Sequence, residues 1–67
     1  MEKLQISLAA ARVNAGLTQE EVAKKMNVTK QTVINWEKGR IEPSLPVINM
    51  LSDIYGMSID NFLLPSR

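Results

Sequence analysis

Residues 18–40 read TQEEVAKKMNVTKQTVINWEKGR, and this stretch decides the fold. It spells two short helices joined by a tight turn. Thr18 is a good N-cap, and Glu21 three residues on completes a capping box, in which hydroxyl and carboxylate each satisfy a backbone N–H left over at the helix start. Glu20 and Glu21 both stand in the first turn, where the helix dipole favours negative charge. Val22, Ala23 and Met26 fall on the inward face. Asn27 ends the helix, because asparagine tolerates a left-handed backbone better than most residues other than glycine. Val28 plugs the angle, Thr29 caps the next helix, and Val33, Trp36 and Glu37 lie on its inward side until Gly39 stops it. Ala23 is the informative small residue. Two helices joined by so short a turn cross closely, and a large side chain at their contact would force them apart.

Outward from this unit every long apolar pattern keeps a helical period, and no stretch alternates as a strand does. Leu4, Leu8, Ala11 and Ala15 trace a stripe along a first helix, and Gly16 ends it. After a connector at Arg40-Ile41-Glu42-Pro43, Ser44 caps a fourth helix that tolerates Pro46 in its first turn. Leu45, Ile48, Leu51 and Tyr55 run down its buried face, and Gly56 closes it. Ser58 caps a short fifth helix, with Ile59, Phe62 and Leu63 as the last core contacts. The expectation is an all-α, compact five-helix domain that takes in residues 1–67, with the helix-turn-helix at residues 18–39 and no internal repeat.

Composition agrees and excludes several function classes. The chain has 67 residues, of which 45% are hydrophobic, with only three glycines, three prolines and one each of Trp, Tyr and Phe. That suits an aliphatic helical core rather than disorder. There is no cysteine and no histidine. Disulfides and thiolate metal sites are therefore excluded, and the commonest metal ligand and general base are missing. No nucleophile–base pair is visible. Glu20 and Glu21 are neighbours on a helix and point apart, and so small a domain lacks a substrate cleft. An enzyme, a cofactor and a small-molecule ligand are not expected. The N-terminal MEKLQISLAAARVNAG is too weakly apolar for a signal peptide and too short for a membrane span, so a cytoplasmic location and no membrane partner are expected.

Net charge is only +1, but it is unevenly placed. Lys24, Lys25, Lys30, Lys38 and Arg40 stand against Glu37 alone over residues 24–40, a surplus of four. The flanking segments are slightly acidic. The positive charge thus sits on the helix-turn-helix and its exit loop, where phosphates would approach. The outward face of the third helix carries Lys30, Gln31, Ile34, Asn35 and Lys38, whose spacing puts them on one side. Gln31 and Asn35 can each make a paired hydrogen bond to adenine, lysine can donate to guanine acceptors, and Ile34 can touch a thymine methyl. Polar residues alone would suit a face turned to water. An isoleucine between Gln31 and Asn35 does not.

GLTQEEVAKKMNVTKQTVINWEKG resembles the helix-turn-helix of phage repressors and Cro-type bacterial regulators, five-helix domains of the lambda-repressor-like DNA-binding fold. The likeness is strongest over Leu17–Arg40. It extends more weakly to Pro43-Ser44-Leu45 and Gly56-Met57-Ser58-Ile59. The resemblance implies sequence-specific binding of double-stranded DNA by a repressor-like transcriptional regulator, with the third helix in the major groove. It places Thr29, Lys30, Gln31 and Asn35 at the bases, and Ile34, read from the helix face itself, completes the expected base-contacting set. It assigns phosphates to Gln19, Thr32, Lys38 and Arg40, with Gln19 also buttressing Gln31. Arg12 matches a position where the family often keeps an arginine paired with the glutamate of W-E-x-G, here Glu37. Trp36 is expected in the core, with its N–H near enough to the surface to reach a phosphate. Asn27 stands where glycine is common in the turn.

Low net charge implies weak non-specific affinity, since phosphate contacts supply most of that term. This points to a homodimer on a two-fold site with half-sites about one helical turn (~34 Å) apart. Candidate dimer contacts are Ile41, Pro43, Phe62, Leu63 and Leu64, of which Phe62 and Leu63 read first as completing the monomer core and Leu64 has the least intramolecular reason. The alternative to DNA binding is a protein-interaction module or antitoxin on the same fold. Lys30, Gln31 and Asn35 favour DNA, because an acidic or wholly apolar third helix would suit a protein partner better.

Overall fold

The computed structural model describes residues 5–64. The chain runs through β1 (Ile6–Ser7), α1 (Leu8–Asn14), α2 (Gln19–Met26), α3 (Lys30–Lys38), α4 (Leu45–Tyr55), a 3₁₀ turn (Ile59–Asn61) and β2 (Phe62–Leu63). Its four α-helices start where short hydroxylated side chains permit it. Ser7, Thr18, Thr29 and Ser44 each accept a hydrogen bond from a backbone N–H in the first turn. Such a cap contributes about 1 kcal/mol. At Thr18 the capping box is complete, with Glu21 Oε1 accepting from the Thr18 backbone N–H at 2.8 Å.

The core is one cluster. Leu8 and Ala11 of α1, Val22, Ala23 and Met26 of α2, Val33 and Trp36 of α3, Leu51 and Tyr55 of α4, and Phe62 of β2 are all buried. Tyr55 and Phe62 meet edge to face, with ring centroids 6.3 Å apart. The radius of gyration, 11.1 Å, agrees with the ~11 Å expected of a folded chain of this length.

Several expectations need correction. Among the described residues there are four α-helices rather than five, because the segment after Ser58 makes only a single 3₁₀ turn before extending. The fold is mostly helical but not all-α. Ile6 pairs with Phe62 and Ser7 with Leu63 in a short parallel ladder that ties the two ends of the described chain together. Strands of two residues are too short to show alternation, so no periodicity could announce them. The first helix begins only at Leu8, since Ser7 is its cap, and Leu4 lies outside the described residues. On α4, Leu51 and Tyr55 are buried and Ile48 packs against the core, but Leu45 is 63% exposed. It is the first helical residue, and in its turn Val47 and Ile48 pack against the core instead. Ile59 and Leu63 are likewise exposed, leaving Phe62 as the buried residue of the closing segment.

Candidate nucleic-acid interface

The angle between α2 and α3 is set by backbone conformation. Asn27 adopts φ 58 and ψ 45, and its N–H donates to the carbonyls of Ala23 and Lys24. Val28 N–H donates to Ala23 O at 2.9 Å. Two residues thus satisfy the last carbonyls of α2 and reverse the chain, and Thr29 starts α3 at once. Ala23, buried at this crossing, leaves room for the close approach. At the far end Gly39, at φ 76, lets its own N–H and that of Arg40 return to α3 carbonyls, which ends the helix.

Behind α3 a polar network fixes its rotation. Arg12 Nε donates to Glu37 Oε2 at 2.8 Å, and the two side chains are only 15% and 7% exposed. Arg12 Nη1 donates to Leu17 O at 3.0 Å. Gln19 Nε2 donates to the other Glu37 oxygen, Oε1, at 3.0 Å. One carboxylate therefore ties α1 and the start of α2 to the last turn of α3. The Tyr55 hydroxyl shares this environment. Burial first, and the Glu37 charge second, push it up from 10.0 to about 12. The sequence-based buttress from Gln19 to Gln31 is not what the structure shows, because Glu37 is the stronger, charged acceptor for the Gln19 amide. Trp36 is core packing.

The opposite flank of α3 is open. Thr29, Lys30, Gln31 and Lys38 are exposed, and Thr32, Ile34 and Asn35 are partly so. Gln31 Nε2 donates to Asn35 Oδ1 at 3.1 Å, and the Thr29 and Thr32 hydroxyls bond each other at 2.9 Å. These side chains are joined to one another across single helical turns. Arg40 is also exposed. Lys30 Nζ meets Glu20 Oε2 of α2 at 3.2 Å, with both side chains half exposed or more. The Glu20 carboxyl is held below its ordinary value, first by a backbone N–H and then by Lys30. Glu20 was assigned only to the helix dipole in the sequence. The signal for more was its opposite charge to Lys30 in the first turns of two helices of fixed crossing. An open groove of about 450 Å³ lies beside this pair, bordered by Lys24, Asn27 and Val28.

Among the described residues no three His, Cys, Asp or Glu stand together to hold a metal ion, and no helix is long and apolar enough to cross a membrane.

The helix-turn-helix family model matches residues 8–62, from α1 to β2. The chain belongs to the Cro/C1-type helix-turn-helix family. An uncharacterized HTH-type transcriptional regulator of Methanocaldococcus jannaschii is 40% identical over 48 residues, covering 72% of this chain and 73% of its own. The cryptic phage CTXphi transcriptional repressor RstR of Vibrio cholerae is 42% identical over 56 residues, 84% of this chain and 50% of its own. The HTH-type transcriptional regulator ImmR of Bacillus subtilis is 36% identical over 56 residues, 84% of this chain and 44% of its own. This helix-turn-helix chain thus spans about half the length of those two regulators, and the matched part takes in the elements that hold α3 outward.

Proposed function

We propose that the chain is a sequence-specific DNA-binding transcriptional regulator that lays α3 in the major groove and acts as a homodimer. The uncovered flank of α3 carries this reading. It presents Thr29, Lys30, Gln31, Ile34 and Asn35 on a helix whose other side is held by a buried carboxylate. The amides of Gln31 and Asn35 are already hydrogen-bonded to each other, which orders them for paired contacts with adenine edges at reduced entropic cost. Gln19, Thr32, Lys38 and Arg40 serve phosphates. Gln19 keeps one amide hydrogen for this after its bond to Glu37.

Homodimer formation is supported by the small net charge of +1, which gives one protomer little phosphate-driven affinity. Of the candidate contacts, Pro43 and Phe62 are buried within the protomer and unavailable. Ile41, Leu63 and Leu64 are exposed, at 47%, 54% and 37%.

Two variants test the assignment by titration against duplexes that differ at single base pairs. Gln31→Ala costs about 1–3 kcal/mol on the preferred duplex and relaxes preference at one position. Arg40→Ala weakens all duplexes alike and flattens the salt dependence by about one unit. A Gln31→Ala protein that matches the parent on every duplex contradicts base reading.

A further inference from the structure

The Glu20–Lys30 pair places a carboxylate on the edge of a face that must approach polyanionic DNA. Glu20 is exposed, in the first turn of α2, and Lys30 is the first residue of α3. An exposed ion pair of this kind adds little to folding stability, so the first-turn position of Glu20 has a reason in the helix dipole but its pairing with Lys30 has little reason in folding. Its effect on binding is larger. A lysine that neutralises one phosphate releases about one counterion, a term that does not depend on base sequence. A carboxylate 3.2 Å from the ammonium cancels that term. It also occupies one of the three ammonium donors and leaves two for base acceptors.

We propose that Glu20 is a specificity-determining positioning residue: through Lys30 it suppresses sequence-independent attraction to phosphates while aiming the ammonium at base edges. This rests on the DNA-binding reading above. The two fail in different ways.

The test compares parent, Glu20→Gln, Lys30→Gln and the double variant on a selected duplex and on a scrambled duplex, across a series of salt concentrations. For Glu20→Gln the salt slope on scrambled duplex steepens by about 0.9, which at 0.1 M salt is roughly an eightfold gain in non-specific affinity. Affinity for the selected duplex changes by less, so the ratio of selected to scrambled affinity falls. In the Lys30→Gln background the same substitution has no effect on slope or ratio, which a purely structural role of Glu20 would not produce. An unchanged slope and ratio in Glu20→Gln overturns the inference alone. So does an equal effect with and without Lys30. A parent that prefers no duplex overturns it together with the DNA-binding reading.

Discussion

Arg12 shows how one side chain behind the candidate interface can govern it. It holds both Glu37 and the Leu17 carbonyl, so removing it leaves a nearly buried carboxylate facing Gln19 alone. Arg12→Ala is expected to destabilise the protein by about 3 kcal/mol, the low end for a pair that keeps some exposure. For so short a chain that lowers Tm by more than ~10 °C, readable by circular dichroism. Tyr55 supplies a pH test. Its folded-state value is raised from 10.0 to about 12, so the protonated phenol is the form the fold prefers. The associated stability is full below pH 10 and is lost as pH rises from there toward 12. Urea midpoints measured across that window fall, and fall less in Tyr55→Phe. The Arg12–Glu37 pairing was legible because Glu37 sits among the apolar inward positions of α3 and the family resemblance named its partner. The Gln19–Glu37 bond was not legible. The sequence shows that two amides and a carboxylate lie near α3, but not which acceptor wins once distances are fixed.

At the scale of elements, caps decide where helices begin and one left-handed residue decides how they turn. Thr18→Ala removes the hydroxyl half of the capping box and is expected to cost about 1 kcal/mol in unfolding free energy. Asn27, at φ 58, separates two substitutions. Asn27→Gly keeps the angle and leaves stability within about 0.5 kcal/mol, whereas Asn27→Val strains the turn and costs more than about 1 kcal/mol. Equal midpoints for the two variants would deny the left-handed residue its part in setting the angle. These starts, stops and the turn could be read from the chain because each depends on residues within four positions of one another. The β1–β2 ladder depends on residues 56 positions apart, Ile6 with Phe62, over only two pairs, and nothing local encodes it. The same locality explains Leu45. Its spacing fits the buried stripe of α4, but whether the first turn reaches the core depends on where the connector delivers it.

For the whole molecule, the placement of charge and apolar surface matters more than the totals. A protomer with a basic α2–α3 unit and exposed Ile41, Leu63 and Leu64 is expected to self-associate. Leu63→Glu weakens that association in sedimentation equilibrium, while the unfolding free energy of the dilute protein stays within about 0.5 kcal/mol of the parent, as an exposed position allows. Identical association constants would place the dimer contact elsewhere. The most direct measurement of base reading by α3 is selection from a pool of randomised duplexes with the purified protein. If Gln31, Asn35 and Lys30 meet base edges, the pool converges on a two-fold symmetric sequence with half-sites about one helical turn apart, and Gln31→Ala loses the preference at one position of each half-site. A pool that remains random after repeated rounds, at a salt concentration where the protein retains duplex, contradicts it.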